Sequence, residues 1–254
     1  MIFSVNVHRL QQALCVLLLL AIGCMPSFAD QDQNDEQTFD SYTTIDPANP
    51  PDAFQQIQSG IQKISHFRAE FREEKKLSAL SRSVRNSGYV LFDRERGLYR
   101  HVKRPFNTRQ LITRDGLVVE KSDGNNRRKR LKPGSAPRLF LDSLYLVFSG
   151  RFSDFDEQFQ IELKLNESEN DNASHQGTTE KEEEPHWFLR LTPDGEKMKN
   201  FFSRMIIEGK GKQLKSFSMH RDNGDTTRTT FSNITYPDTL SEEQRSRFRS
   251  MKNE

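Results

Sequence analysis

Side chains that could do covalent or metal chemistry are few in this sequence, and none of them is arranged as a catalytic motif. The two cysteines, Cys15 and Cys24, both lie near the N-terminus. The six histidines are scattered, and neither a Gly-x-Ser-x-Gly elbow nor a His-Glu-x-x-His pair occurs. The stretch "GKGK" at 209–212 lacks the spacing of a phosphate-binding loop. We therefore predict that the chain is not an enzyme and that it uses no metal and no cofactor.

The stretch "SHFRAEF" at 65–71 points instead to non-covalent chemistry, because apolar and charged side chains alternate along it. In a β-strand successive side chains point to opposite faces, so Phe67 and Phe71 would share one face and the charged residues the other. The charged face is expected to meet water. The aromatic face needs a cover, which is either the protein's own core or an apolar ligand.

The stretch 1–29 has the pattern of an export signal. Its apolar run, 13–22, is too short to span a bilayer, which takes about 20 residues. The small-x-small sequence Ser-Phe-Ala follows at 27–29. We expect cleavage after Ala29 and a soluble mature protein in the periplasm that retains neither cysteine. The alternative is cleavage at "LAIGC", which would leave a lipidated Cys24 at the N-terminus.

Helices are predicted at three places in the remaining chain. After a polar stretch at 30–50, which we expect to be a flexible tail, "PPDAFQQIQSGIQKI" at 50–64 carries one apolar stripe. The apolar segment "PRLFLDSLYLVFSG" at 137–150 begins with proline and ends with glycine, as helices often do. A short closing helix is predicted after Ser241, which forms a capping-box pattern with Gln244.

About ten strands in sequential order fill the rest of the chain, and Asp-Gly turns such as "RDG" and "SDGN" mark hairpins between them. We predict a single domain at 51–254, mainly β with α, with an acidic flexible insertion at 166–185. Sequential antiparallel strands twist into a barrel or a half-barrel. The pattern alone leaves open whether its interior is filled by side chains or hollow.

The charge pattern argues against a nucleic-acid partner. The formal net charge is only +2. The basic residues of 94–130 alternate with strand-forming apolar residues, so they are expected on the solvent-facing side of a sheet. We predict that the protein does not bind nucleic acid.

Three stretches, "SHFRAEF", "GYVLFDRERGLYRHVKRP" and "LITRDGLVVE", together resemble the LolA family, periplasmic carriers of outer-membrane lipoproteins. The resemblance extends loosely over most of 53–234 and lies in the order of the motifs more than in any one of them. It implies an incomplete antiparallel β-barrel, or half-barrel, covered by helices that act as a lid over a cavity for acyl chains. The cavity would shelter apolar chains from water, which is worth about 0.8 kcal/mol per CH₂.

The resemblance also implies roles for individual residues. Arg94 matches an arginine whose hydrogen bonds hold the family's lid closed when the cavity is empty. The proline that usually follows this arginine is replaced by Glu95. Leu98 matches an aromatic residue that lines the cavity mouth, and Arg100 falls where many members have tryptophan. The loss of aromatics at 98 and 100 indicates a divergent member. The residues predicted to line the cavity are Phe67, Phe71, Tyr89, Leu91 and Leu98, and those predicted to form the lid are Leu139, Phe140 and Leu141.

The partners implied by the resemblance are a lipoprotein or acylated lipid as cargo, an inner-membrane release complex and an outer-membrane acceptor. We expect the carrier to be a monomer. Two alternatives remain at this stage. A lipidated Cys24 would make the protein a membrane-tethered acceptor, and a barrel filled by its own side chains would make it an envelope scaffold module.

Overall fold

The computed structural model describes residues 42–46, 48–113, 116–121, 126–129, 138, 145–151, 159–166 and 184–252. All of them belong to one compact unit, 38–254. The predicted signal, most of the acidic insertion, and the predicted lid residues Leu139, Phe140 and Leu141 lie outside the described residues. Within the described part of the chain, no helix is long and apolar enough to cross a membrane.

The described residues form one antiparallel sheet of twelve strands. The strands are β1 Thr43–Thr44, β2 His66–Lys76, β3 Val84–Asp93, β4 Gly97–Arg104, β5 Thr108–Thr113, β6 Gly116–Lys121, β7 Asn126–Lys129, β8 Phe159–Asn166, β9 His186–Pro193, β10 Arg204–Lys210, β11 Gln213–His220 and β12 Thr226–Thr235.

The sheet is open, because its order runs from β1 through β8–β12 and β2–β6 to β7 and the two end strands do not pair. Strands that follow one another in the sequence pair from β2 to β7 and from β8 to β12. These two runs are joined where β12 pairs with β2, and β1 pairs with β8 at one edge of the sheet. A long twisted sheet that stays open is consistent with an incomplete barrel. The predicted fold class, mainly β with a few helices, is confirmed.

Three helices have complete bounds among the described residues: α1 Asp52–Gln62, α2 Glu196–Lys199 and α3 Glu242–Lys252. Residues 145–149 are also helical, within the predicted second helix, and we call them the 145–149 segment. The predicted capping box is present at α3, where Ser241 and Gln244 exchange two hydrogen bonds of 2.8 and 3.2 Å between backbone N–H groups and side chains.

The alternation in "SHFRAEF" is confirmed by β2. Phe67, Ala69 and Phe71 are buried, whereas Arg68 and Glu70 are exposed. We call the face that carries Phe67, Ala69 and Phe71 the inner face and the opposite one the outer face.

Helix α1 covers the inner face through its apolar stripe. Phe54, Ile57 and Ile61 are buried in the main core cluster together with apolar side chains of β8–β11. The helix therefore packs chiefly on the later strands of the chain, although it precedes β2 in sequence. Other members of this cluster include Phe159, Ile161, Leu163, Trp187, Leu189, Leu191, Met205 and Ile207.

Residues 42–46, predicted as part of a flexible tail, are instead joined to the sheet. Thr43 and Thr44 pair with β8, and the Ile45 backbone N–H donates to the Ile161 carbonyl at 2.8 Å. Ile45 itself is buried in the main core cluster. The segment is therefore held by strand pairing with the edge of β8 and by the burial of one apolar side chain, Ile45.

We predict that Gly209→Ala destabilises the protein by about 1–3 kcal/mol, because it would overpack the core. A Cβ at Gly209 would lie 2.1 Å from the fully buried Trp187 ring. Gly195→Ala is the matched control, since no atom lies within 4 Å of its added Cβ, and it should change stability by about 0.5 kcal/mol or less. Equal denaturation midpoints for the two variants would contradict this packing.

Candidate functional site

The turn between β3 and β4 positions the arginine that the resemblance singles out. The carboxylate of Asp93 accepts hydrogen bonds of 2.9 Å from the backbone N–H groups of Glu95 and Arg96. Gly97 closes the turn with φ of 111°, where a side chain would collide with the Ile112 carbonyl. The buried carboxylate thus fixes this turn although the proline expected from the resemblance is replaced by Glu95.

The guanidinium of Arg94 binds the C-terminal ends of two helical elements. Its Nη2 donates to the carbonyls of Gln62 at 2.8 Å and Ile64 at 2.7 Å, at the end of α1. Its Nη1 donates to the Ser149 carbonyl at 3.1 Å, at the end of the 145–149 segment. One side chain therefore connects both helical elements to the β3–β4 turn.

This arrangement is electrostatically favourable. The last carbonyls of a helix have no intrahelical partner and carry the negative end of its dipole. A guanidinium offers several donors in a fixed plane, so Arg94 can serve both helix ends at once. Lysine could not reproduce this geometry with its single ammonium group.

Further bonds connect the same elements to one another. The Tyr145 hydroxyl donates to the backbone carbonyl of Arg94. The Gln62 side-chain amide donates to the Gly150 carbonyl at 3.1 Å. Gly150 has φ of 68°, and a Cβ there would lie 2.8 Å from the Gln62 nitrogen and 2.9 Å from Ile61 Cβ. The close approach of α1 to the 145–149 segment therefore requires glycine at this position.

A small apolar cavity lies between these helical elements and the inner face. Its accessible volume is about 20 Å³, roughly the space of one water molecule. A space of this size cannot hold an acyl chain unless the elements that line it move apart. The cavity is lined by Ile61, Ile64, Phe67, Ala69, Val147, Phe148, Lys212, Leu214, Phe231, Ile234 and Tyr236.

A wider groove adjoins this cavity and opens to solvent. Its volume is about 610 Å³, within the range of about 300–1,000 Å³ typical of ligand pockets. Ile64, Lys212 and Tyr236 line both spaces. The remaining lining is mixed, with polar side chains such as Lys63, Glu184 and Asp238 beside Ile57, Pro185 and Pro237. The two spaces together form an apolar interior with an entrance of mixed polarity.

The structure brings three of the predicted cavity residues together on the inner face. Phe67 lines the cavity and packs on Phe148 of the 145–149 segment, with ring centroids 5.3 Å apart. Leu98 belongs to the same face, because it pairs with Phe92, which stacks on Phe67 at 5.4 Å. Phe71 lies two residues beyond Ala69 on β2 and is fully buried.

Tyr89 and Leu91 lie on the outer face, which corrects their assignment to the cavity. They pair with Glu70 and Arg68, whose side chains belong to the charged face of β2. The stretch around them is apolar on both faces, so alternation in the sequence does not reveal which side a residue occupies. On the outer face they pack under the C-terminal residues, in a cluster with Tyr99, Leu111, Leu240, Phe248 and Met251.

A buried polar cluster on the inner face was missed at the sequence level. Glu73 accepts hydrogen bonds from Asn86 at 2.7 Å and Arg100 at 2.9 Å, and forms an ion pair with Lys75 at 3.1 Å. Arg100 also donates to the Gln110 side chain at 3.1 Å. The alternation of β2 already places positions 73 and 75 on the inner face, and extending it to the end of the strand would have revealed the cluster.

The charges of this cluster determine the protonation of Glu73. Burial alone would raise the pKa of this carboxyl. The positive charges of Arg100 and Lys75 and the hydrogen bond from Asn86 outweigh burial and lower the pKa to about 2. Burial also lowers the pKa of the Lys75 ammonium, against the opposing effect of Glu73. Glu73 is therefore ionised throughout the neutral and mildly acidic range.

We predict that this carboxylate makes the protein less stable in acid. A depressed pKa contributes stability that is fully present above the unfolded value of 4.5 and is lost as the pH falls towards 2. From about pH 6 to about pH 3, wild type should lose about 2 kcal/mol more than Glu73→Gln. Chemical denaturation at both pH values measures the difference. Parallel losses in the two proteins would show that Glu73 is not the responsible group.

A metal centre is not indicated. Among the residues that the structure describes, no group of three or more histidine, cysteine, aspartate or glutamate side chains could hold an ion.

Similarity to known proteins is found among solved structures and not among sequences. No family model and no curated protein matches the sequence. A DUF1329 family protein from Desulfovibrio piger is 13% identical with a TM-score of 0.41, and the match covers 75% of this chain and 94% of that one. Mycobacterium tuberculosis lipoprotein LppX is 10% identical with a TM-score of 0.40, covering 74% and 96%.

A LolA superfamily protein from Nitrosomonas europaea is 12% identical with a TM-score of 0.36, and the match covers 73% of this chain and 94% of that one. With TM-scores this low, none of these matches carries an argument about function, and we take the function from the geometry of this chain.

Proposed function

We propose that the protein is a periplasmic carrier that shelters an acyl chain of a lipoprotein or related envelope lipid on the inner face of its sheet and delivers it towards the outer membrane. The observation that carries this proposal is the position of Arg94, whose guanidinium holds two helical elements over an apolar cavity by bonds to helix-end carbonyls. The groove beside the cavity supports the same function, because it opens to solvent and carries charged side chains such as Lys63 and Asp238, so a headgroup or peptide there would stay in water.

Opening breaks the hydrogen bonds of Arg94, which contribute about 1.5–3 kcal/mol each because the donor is charged, and it uncovers part of the apolar stripe that α1 buries. An entering acyl chain can offset both costs, because it replaces the apolar contacts that are lost. Each CH₂ removed from water returns about 0.8 kcal/mol. A donor and an acceptor that bind the open form differently could then shift the population without ATP. An inner-membrane release complex and an outer-membrane acceptor are the partners this cycle needs.

The alternatives differ from a soluble carrier in measurable ways. N-terminal sequencing and mass spectrometry of the exported protein separate a chain that starts at Asp30 from one with a lipidated Cys24, which would be a tethered acceptor. Lipid that copurifies with the mature protein supports a carrier. A protein that binds no acyl chain at all would be a scaffold module.

Arg94→Lys should fold normally, hold bound lipid more tightly and transfer it less. The variant loses at least one charged hydrogen bond to a helix-end carbonyl, which weakens the closed form that competes with cargo. A loss of about 1.5–3 kcal/mol corresponds to about tenfold or more in retention. The measurement is transfer of a fluorescent fatty acid from the purified protein to acceptor vesicles.

Arg68→Lys is the matched control for this experiment, since Arg68 is exposed on the outer face. Retention and transfer equal to wild type in Arg94→Lys would mean that this arginine has only a structural role.

Ala69→Leu should weaken binding of the same fatty acid by about tenfold, because the larger side chain fills the cavity that Ala69 lines. Overpacking by this much costs about 1–3 kcal/mol. Arg68→Leu, one residue away on the outer face, should leave binding unchanged. Circular dichroism verifies the fold of both variants. Full affinity in a folded Ala69→Leu protein would show that the ligand does not occupy this cavity.

A further inference from the structure

The inner-face residues of β2 change abruptly from apolar to ionised along the strand. Phe67, Ala69 and Phe71 are followed on the same face by Glu73 and Lys75. Glu73 is 8% exposed and Lys75 2% exposed, so both ionisable groups are inside the protein. No step of opening or closing at Arg94 uses them.

The contacts of Glu73 come from three strands besides its own. Its carboxylate accepts from Asn86 on β3 and Arg100 on β4, and lies 3.5 Å from the Thr229 hydroxyl on β12. Arg100 is bound in turn by Gln110 on β5. The cluster is thus a connected band of polar groups across the inner face.

Stability is a weak explanation for such a band. Removing ions from water costs energy that their mutual attraction only partly returns, and well-packed apolar side chains in the same place are often as stable or more stable. An ionised cluster in this position therefore calls for a role that apolar residues could not fill.

The band lies directly beyond the end of the cavity. The cavity reaches Ala69 on β2 and Phe231 on β12. Phe231 pairs with Phe71, and the next inner-face pair along the two strands is Thr229 with Glu73. The Arg100 guanidinium covers the Phe71 ring at 4.3 Å. An acyl chain that follows the apolar surface from the cavity would meet these polar groups immediately after Phe71.

We propose that the cluster of Glu73, Lys75 and Arg100 sets the maximum length of the acyl chain that the protein binds. The proposal rests on the function proposed above. Methylene groups placed beyond Phe71 would press against ions that are already bonded to one another, so they would gain no favourable burial and would disturb costly charges. From Phe67 to Phe71 the apolar track on β2 measures about 13 Å at roughly 3.3 Å per residue.

The test is a series of saturated fatty acids from caprate to lignocerate, each displacing a fluorescent fatty acid from the intact mature protein. Affinity of wild type should rise by about fourfold per added CH₂ and then stop rising, or fall, at one chain length. A continuous rise to the longest chain would overturn the proposal. Failure of every chain to bind would overturn the proposed function itself, and this inference with it.

The decisive variant combines Glu73→Leu, Lys75→Met and Arg100→Met, which replaces the ions together with apolar side chains of similar size. Its longest well-bound chain should exceed that of wild type, with about tenfold tighter binding of a chain two carbons beyond the wild-type limit. The matched control is Glu162→Leu with Arg190→Met, an ion pair of 2.5 Å on the outer face, which should keep the wild-type limit.

A milder variant, Glu73→Gln with Arg100→Met, serves if the triple variant fails to fold. It keeps an amide beside Asn86 and removes two of the three charges, so the limit should move in the same direction by a smaller amount. An unchanged limit in a folded variant of either kind would overturn the proposal.

Discussion

The hydrogen bonds between one guanidinium and the carbonyl ends of two helical elements are the interaction on which the rest of this structure depends. Arg94 connects α1 and the 145–149 segment to the β3–β4 turn, and these elements cover the inner face. Their apolar side chains alone would cover it as an ordinary core. The bonds of Arg94 add a polar attachment at one end of this cover, beside the buried apolar stripe of α1.

The two faces of the sheet are covered in different ways. On the outer face, Phe248 and Met251 of α3 pack on Tyr89, Tyr99 and their neighbours. This cover shares no residue with the bonds of Arg94. A displacement of α1 would therefore leave β3–β6 supported from behind, so that the sheet can keep its shape while the inner face is exposed. The outer cluster, which the sequence assigned in part to the cavity, thus contributes rigidity.

Period-two and helical patterns in the sequence predicted the parts of the fold where only one face is apolar. Phe67, Ala69 and Phe71 lie where alternation puts them, and the stripe of α1 is buried as expected. Tyr89 could not be placed in this way, because apolar side chains on both faces of β3 erase the alternation. Ile45 was missed because a single apolar residue produces no pattern.

The site was accessible to sequence reasoning only in part. Nothing about Arg94 distinguishes it from the many other arginines, and it was singled out by resemblance alone. Its bonds involve backbone carbonyls that any residue provides, so no sequence signal marks its partners. The polar cluster is different. Glu73 and Lys75 continue the inner-face alternation of β2. They are not predicted to be buried, because charged side chains are normally expected in water.

The pairing of β12 with β2 determines when the cavity can form during synthesis and folding. Glu73 and Thr229, which face each other there, are 156 residues apart in sequence, and α1 packs mainly on strands made much later. Local hairpins such as β3–β4 can form early, but contacts of this range close slowly and only once both partners exist. The cavity, which Phe231 of β12 helps to line, is consequently incomplete until that strand has joined β2. In the proposed carrier, lipid would therefore be loaded only after β12 has formed, and a nascent chain would have no complete cavity in which to hold it.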